Sequence, residues 1–255
     1  MADPPAPSLD VPDPDLTRDP ILRGRLVLWQ PRMGYRFSVD SLLLVHFVGE
    51  APYGRVIDLG AGVGVIGLAL AVRDPSATVT LLELQPRMAR LARSNVEGNG
   101  GTDRVQVVEA DLSNARAMRR LLTGASFDLV VSSPPFFTLA SGPPVPDQEE
   151  AIARHELRLT LSDVCREARR LLVPGGRAAL VFPSDRLTEL LGGLDHEGLR
   201  PTRLRAIHPR PGQPAQRVLV LAIKGGKGGL VIEPPLIVRD DHGYTPEVSE
   251  ALGDG

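Results

Sequence analysis

The alternation of short apolar segments with amphipathic segments constrains the fold of this chain more than any other feature. Strand-like runs at 55–60, 78–84, 105–111 and 127–133 are each followed by residues that suit a helix or a turn into one. The pattern continues with LSDVCREARRLLVPGG, predicted to be a helix stopped by Pro-Gly-Gly, then RAALVFP, a helix from Ser184, a strand near 202–208 and RVLVLAIK at 217–224. Continuous apolar strands between such helices predict a parallel sheet covered on both faces. We therefore predict an α/β fold, doubly wound, with an antiparallel last strand.

The two ends of the chain differ from this alternating region. Residues 1–20 hold six prolines and five aspartates with few large apolar side chains, which predicts a disordered acidic tail. Residues 21–255 are predicted to form one domain: an N-terminal segment at 21–54, the alternating core at 55–224 and a C-terminal tail at 225–255. Within the first of these segments, Ser38 is the expected N-cap of a helix over SVDSLLLVHFVGE.

Composition excludes several classes of protein. The chain has no apolar run long enough to cross a membrane and no signal-peptide pattern at its start, so we expect a cytoplasmic protein. Its single cysteine, Cys165, allows neither an internal disulfide nor a cysteine metal cluster, and we predict no metal. The formal net charge of -2 does not by itself indicate nucleic-acid binding. The oligomeric state cannot be predicted from these features.

A glycine-rich loop follows the first strand of the alternating region. The segment DLGAGVGVIG contains Asp58, Gly60, Gly62 and Gly64 where a strand turns into a helix. Glycines there let the backbone approach a ligand, and the helix N-terminus offers free N–H groups. Glu83 ends the next strand, where a carboxylate suits ribose hydroxyls, and Asp111 ends the third, within reach of an adenine amino group. The alternative is that both acids cap the following helices. An adenosine cofactor is predicted, either NAD or S-adenosylmethionine.

The end of the fourth strand favours the second cofactor. It carries Ser133, Pro134, Pro135 and Phe136, which match the [Asn/Asp/Ser]-Pro-Pro-[Tyr/Phe] signature of methyltransferases acting on exocyclic or amide nitrogens. A hydroxyl at position 133 and a carbonyl at 134 accept hydrogen bonds from an amine and draw its nitrogen towards tetrahedral geometry. The prolines fix the backbone, and Phe136 offers a face for stacking a base. At this point the chain resembles class I S-adenosylmethionine-dependent methyltransferases, which implies a seven-stranded Rossmann-like sheet.

The resemblance extends to one family. The segments GYRFSVDSLLL, DLGAGVGVIGL, ELQPRMARLARSNVEGNG, SSPPFF and ARHELRLTLSDVCREARRLLVPGGRAALVFP together resemble the tRNA(Val) adenine-N6 methyltransferases over most of residues 21–245. The resemblance implies methyl transfer to adenine N6 in the anticodon loop of a tRNA. It implies that Phe37 and Asp40 close over the methionine end of the cofactor, that Asp58 and Gly60 lie beneath it, and that Glu83 and Asp111 contact ribose and adenine.

Two positions depart from the family pattern. Family members usually carry Asn and Tyr where this chain has Ser133 and Phe136, and the Ser form also occurs among cytosine-N4 methyltransferases. Three alternatives therefore stay open: methylation of cytosine N4, methylation of a protein glutamine amide, and a non-catalytic module that binds cofactor or RNA.

Two loops supply further candidates. The long loop after the fourth strand contains Phe137, Arg154 and His155, which we predict to contact the RNA substrate, with a structural hydrogen bond as the alternative for His155. KGGKGG at 224–229 is predicted to be a solvated hairpin turn in preference to a phosphate-binding loop. The segment after it, EPPLIVRDDHGYTPEV, is expected to add an edge strand.

Overall fold

A computed structural model describes residues 13–34, 36–122, 126–134 and 160–253. The described chain starts with an antiparallel hairpin of β1 (Leu16–Ile21) and β2 (Leu26–Pro31), in which Leu16 lies opposite Pro31. The predicted disordered tail is thus wrong for residues 16–20. Few of these residues are apolar, and the strand forms because its backbone pairs with β2, a partner that composition does not reveal.

The core is a nine-stranded sheet. Its strands are β3 (Arg55–Leu59), β4 (Thr78–Glu83), β5 (Val105–Glu109), β6 (Phe127–Ser132), β7 (Leu172–Pro183), β8 (Leu199–His208), β9 (Arg217–Lys224), β10 (Val231–Ile232) and β11 (Leu236–Ile237). The order is β10-β8-β9-β7-β6-β3-β4-β5, with β11 also paired to β8. Only β9 is antiparallel to its neighbours. The seven expected strands and the antiparallel last strand are confirmed, and the tail adds two short strands at the edge.

Helices cover both faces of the sheet. They are α1 (Val39–Val48), α2 (Val65–Arg73), α3 (Pro86–Gly98), α4 (Ala115–Leu121), α5 (Leu161–Leu171), α6 (Leu187–His196) and α7 (Pro246–Leu252), with a 3-10 turn at Ser184–Arg186 and a small ribbon of β12 (Arg239–Asp240) and β13 (Gly243–Tyr244). Buried side chains of α1, α2, α3 and α7 form one core with the sheet, and those of α4, α5 and α6 form the other. No helix in the described ranges is long and apolar enough to cross a membrane.

Two loop predictions are corrected by strand pairing. The Pro-Gly-Gly segment does not stop α5, which ends at Leu171. Residues 173–176 lie inside β7, where Leu172 pairs with Phe127 and Arg177 pairs with Leu129. Four residues of β7 therefore lie opposite a single residue of β6, Asp128, and they form a bulge in β7. KGGKGG is not a hairpin turn either. It joins β9 to β10, which lie on opposite sides of β8, so the loop crosses over that strand.

The sheet has its topological switch point between β3 and β6. The chain moves outward from β3 through β4 to β5 and then returns to β6 on the other side of β3. Ligands of open α/β sheets bind at such a point, outside the carboxyl ends of the strands. The fold therefore brings the glycine loop after β3 beside the residues that follow β6.

Candidate active site

The glycine loop turns sharply away from β3. Gly60 and Gly64 have φ values of 76° and 91°, a region that side chains other than glycine rarely adopt. A Cβ on Gly64 would lie 2.8 Å from Leu81 Cδ1, whereas a Cβ on Gly60 would meet no atom within 4 Å. Gly64 is thus required for packing of the loop on β4, while Gly60 borders open space where a ligand can approach the backbone.

Glu83 holds this loop from the end of β4. Its Oε2 accepts a hydrogen bond from the Gly62 N–H at 2.7 Å, and its Oε1 accepts one from the Gln85 N–H at 2.8 Å. The side chain is buried. A carboxylate has about four acceptor positions, so these two bonds leave capacity for the predicted ribose hydroxyls. Contact with the ribose stays a prediction.

Asp58 is a buried carboxylate beneath the loop. It is 0% exposed, and its Oδ2 accepts a hydrogen bond from the Gly67 N–H at 3.1 Å. Oδ1 has no hydrogen-bond partner in the described part of the chain. Burial raises the pKa of Asp58 to about 7, partly opposed by the Gly67 bond and assisted by the negative charge of Glu83. An unsatisfied buried carboxylate oxygen fits a cationic ligand, as S-adenosylmethionine is.

Phe37 and Asp40 lie at the entrance to α1. The N–H of Phe37 donates to Gln30 Oε1 at 3.3 Å, and the ring packs on the cluster of Val63, Met88 and Leu91. Asp40 Oδ2 lies 3.6 Å from Arg217 Nε at the start of β9. Burial raises the pKa of Asp40, and the Arg217 charge opposes this. Both residues are therefore close to the edge of the sheet where the glycine loop lies; closure over the cofactor stays a prediction.

Asp111 makes local contacts after β5. Its Oδ1 accepts hydrogen bonds from the N–H and the hydroxyl of Ser113, at 2.9 and 2.6 Å. The N-cap of α4 is Asn114, whose side chain accepts from the Ala117 N–H. Asp111 thus forms a turn before the helix and is not its cap, and its contact with adenine stays a prediction.

The end of β6 is tied to the end of β3 by a side chain that the sequence analysis did not select. The described β3–β6 register ends with Asp58 opposite Val131, and beyond it the Ser132 hydroxyl donates to the Leu59 carbonyl at 2.7 Å. Ser132 is fully buried, the next residue, Ser133, is half-buried, and Pro134 is buried. The available signal was a second serine ending an apolar run. Pro135, Phe136, Phe137, Arg154 and His155 lie outside the described residues.

Comparisons with known proteins agree with this geometry. A family model described as the methyltransferase small domain matches residues 36–189. A tRNA1(Val) (adenine(37)-N6)-methyltransferase from Porphyromonas gingivalis is 36% identical over 188 residues, which are 72% of this chain and 72% of that protein. The crystal structure of a predicted O-methyltransferase from Agrobacterium tumefaciens is 31% identical with a TM-score of 0.68, over 84% of this chain and 96% of that one.

A more distant structure shares the fold. A geranyl diphosphate C-methyltransferase from Streptomyces coelicolor, solved with S-adenosyl-L-homocysteine, has a TM-score of 0.53 at 14% identity, over 72% of this chain and 79% of that one. Among the described residues, no group of three or more His, Cys, Asp or Glu could hold a metal ion.

The fold and the site define a class I S-adenosylmethionine-dependent methyltransferase, an enzyme whose cofactor is S-adenosylmethionine. Within that class, the chain belongs to the methyltransferase small domain family, together with the tRNA1(Val) adenine-N6 methyltransferases. This membership excludes the NAD alternative and the non-catalytic module.

Proposed function

We propose that the enzyme methylates the exocyclic N6 amine of an adenine in RNA, and that this RNA is a tRNA modified in its anticodon loop. The observation that carries the proposal is the position of Ser133 and Pro134, which follow β6 at the switch point, next to the glycine loop after β3. The name of the Porphyromonas gingivalis relative supports adenine N6 and tRNA as the substrate.

The residues at the end of β6 account for the chemistry. The lone pair of an exocyclic amine is delocalised into the base, so the amine is a poor nucleophile. Hydrogen bonds donated by the amine to the Ser133 hydroxyl and the Pro134 carbonyl reduce that delocalisation and orient the lone pair, so catalysis needs no strong base. Phe136 stacks on the base after it leaves its helix or loop.

The cofactor site supplies the second reactant. When bound, S-adenosylmethionine provides an electrophilic methyl group, whose transfer forms an N–C bond, breaks the S–C bond and leaves S-adenosylhomocysteine and one proton for solvent. Asp58 provides a counter-charge for the cationic cofactor, Gly60 leaves room above the backbone, and Glu83 binds the ribose.

A second candidate function follows from Ser133. A serine is shorter than the usual asparagine and can donate as well as accept a hydrogen bond. The same position can therefore hold the amine of cytosine or the amide of a protein glutamine, which makes these the alternative substrates.

The test is incubation of the full chain with a labelled methyl donor and total RNA, followed by nucleoside mass spectrometry. We expect N6-methyladenosine in the tRNA fraction. N4-methylcytosine, or label found only in protein, would contradict the proposal. Ser133→Ala should lower kcat about tenfold or more while S-adenosylmethionine affinity stays within about twofold; Ser133→Asn should retain activity.

A further inference from the structure

Five arginines on α3 and α4 have no partner in the described part of the chain. Arg87 and Arg90 of α3, and Arg116, Arg119 and Arg120 of α4, are exposed and make neither a hydrogen bond nor an ion pair with any described residue. We call them the α3–α4 arginine set. Many other arginines of the fold do have partners; Arg93, the next arginine on α3, lies 3.8 Å from Glu109.

Local electrostatics disfavour Arg87 and Arg116, whereas Arg119 and Arg120 lie in the last turn of α4, where the helix dipole favours a cation. Neither α3 nor α4 has an acidic residue in its first turn, where Arg87 and Arg116 lie. The positive end of the helix dipole disfavours a cation at that place. Arg87 and Arg90 are three residues apart, as are Arg116 and Arg119, and like charges at this spacing repel. Local conflicts of this kind are expected at functional sites, which makes Arg87 and Arg116 candidates for binding a ligand.

α4 and α6 pack on the same face of the sheet and α3 packs on the other, and α4 differs from α6 in how its charges are paired. α4 carries three arginines and no acid, whereas both acids of α6 are paired, Glu189 with Arg186 and Asp195 with Arg200. Because the net charge of the chain is only -2, this contrast is a matter of distribution. Cations without a partner on α3 and α4 attract a polyanion more strongly than the neutralised pairs at α6 do.

The set lies beside the cofactor site. α3 follows β4 and α4 follows β5, the strands after which Glu83 and Asp111 stand, so both helices start at the edge of the sheet where the substrate amine is bound. β5 is three strands from β6. At a spacing of about 4.8 Å between strands, this separation is about 14 Å, which a few nucleotides span.

We propose that the α3–α4 arginine set binds the phosphates of the RNA substrate on one side of the methylated base. The proposal rests on RNA being the substrate. Guanidinium groups suit phosphate because they form paired hydrogen bonds with its oxygens. Phosphate contacts position the RNA and carry no sequence information, so the set is expected to contribute affinity and orientation and not the choice of base.

Two charge-matched variants test the surface. Arg87→Gln/Arg90→Gln and Arg116→Gln/Arg119→Gln each remove two positive charges, and so does the control Arg23→Gln/Lys227→Gln, whose exposed side chains lie in the hairpin turn and the β9–β10 loop. The probe is an unmodified tRNA transcript, and its Kd is measured over a range of salt concentrations. Both test variants should weaken binding about tenfold and reduce the slope of log Kd against log salt by about two.

Other measurements separate this role from a structural one. S-adenosylmethionine affinity and kcat at saturating RNA should be unchanged, KM for RNA should rise, and the melting temperature should stay the same or increase because like-charge repulsion is relieved. Test variants that bind the transcript as the control does would overturn the proposal. The proposal would also be overturned if the test variants no longer methylated an acidic protein substrate but still bound the transcript as wild type does.

Binding and methylation are scored separately. If the wild-type chain methylates no RNA but both test variants lose transcript binding, the proposed function fails, and the set stands as a surface that binds RNA phosphates but not those of a substrate. If RNA is methylated and the test variants match the control, the surface fails and the proposed function stands.

Discussion

Asp58 is a buried carboxylate whose ionisation affects stability and which we expect to contribute to cofactor binding. Its pKa rises from 3.8 to about 7, so the folded enzyme holds a proton that the unfolded chain has lost over this interval. The ionisation of Asp58 therefore lowers the free energy of unfolding progressively as pH increases from about 4 to about 7. Above that range, the enzyme without cofactor carries a buried charge with an unsatisfied oxygen.

We expect the difference in stability between the Asp58→Asn variant and the wild type to depend on pH. Without cofactor, the variant should gain melting temperature relative to wild type between pH 5 and pH 8, because it has no charge to bury, and calorimetry at both values measures this. At pH 8 its S-adenosylmethionine affinity should fall about tenfold or more, since the counter-charge of the cation is lost. Asp103→Asn, an exposed acid, is the control. A stability difference that is the same at both pH values would refute the assignment.

We expect Ser132 to act as a positioning residue for Ser133. Its hydroxyl donates a hydrogen bond to the Leu59 carbonyl beyond the last backbone pair of β3 and β6, and the next residue in the chain is Ser133. Ser132→Ala leaves the Leu59 carbonyl unpaired, which should cost about 1–3 kcal/mol of stability. It should also lower kcat about tenfold with little change in cofactor affinity, because the amine acceptors move.

The control for Ser132 is another buried serine. Ser94 in α3 is fully buried, and its hydroxyl has no hydrogen-bond partner among the described residues. Ser94→Ala should therefore leave both stability and kcat nearly unchanged. If Ser132→Ala lowers the melting temperature but not kcat, the bond is structural only.

At the scale of elements, two side chains of the helix α3 form the hydrogen bonds with β2 that a neighbouring strand would form. The Asn95 side chain pairs with the N–H and C=O of Trp29, and the Asn99 side chain pairs with those of Val27. An amide side chain carries the same donor and acceptor as a peptide group. Four residues of helix rise about 6.0 Å, close to the roughly 6.6 Å of two strand residues, so both asparagines reach the strand.

The two asparagines should be distinguishable by cofactor binding. Asn95 also donates to the Val63 carbonyl of the glycine loop at 2.9 Å, whereas the third contact of Asn99 is to Asn95 within the helix. Both Asn95→Ala and Asn99→Ala should lower the melting temperature by several degrees. Only Asn95→Ala should weaken S-adenosylmethionine binding, by about fivefold or more in calorimetry. Equal affinities in the two variants would contradict a link between the hairpin and the loop.

At the scale of the whole molecule, the two terminal segments are joined on one face of the sheet. α7 packs on α1 through Val248 and Ala251, and the end of α7 at Gly253 approaches Leu22 in the hairpin turn. Arg205 of β8 donates two hydrogen bonds to Glu247 of α7. The C-terminal tail thus supports α1, which carries Asp40 in its first turn and follows Phe37, the two residues predicted to close over the cofactor.

The Glu247 contact predicts a pH-dependent contribution. The Arg205 hydrogen bonds hold the pKa of Glu247 below its ordinary 4.5, against the opposing effect of burial. A lowered pKa stabilises the fold above about pH 4.5, and this contribution is lost as pH falls through the folded value. Glu247→Gln should therefore lower the melting temperature at pH 7, with the difference from wild type closing as pH falls below 4.5 through the lowered pKa of Glu247. Glu250→Gln, exposed on the same helix, should show no such pattern.

The sequence by itself determined the elements whose signals are local. Apolar runs and helix starts predicted the core: β9 occupies 217–224 as expected, and α3 begins at Pro86. The order of motifs along the chain also predicted the cofactor loop and the serine-proline end of the fourth strand, because both follow strands whose carboxyl ends meet at one edge. These features depend on residues that are neighbours along the sequence.

Tertiary structure alone decided the features that depend on distant partners. β1 forms from a proline- and aspartate-rich segment because β2 pairs with it, and β2 in turn is held by Asn95 and Asn99, 66 to 72 residues further on. The bond from Ser132 to Leu59 joins residues 73 apart, and the β9–β10 loop crosses β8 instead of turning back. Such contacts form only when the chain returns to the same place, so the spacing of residues in the sequence does not reveal them.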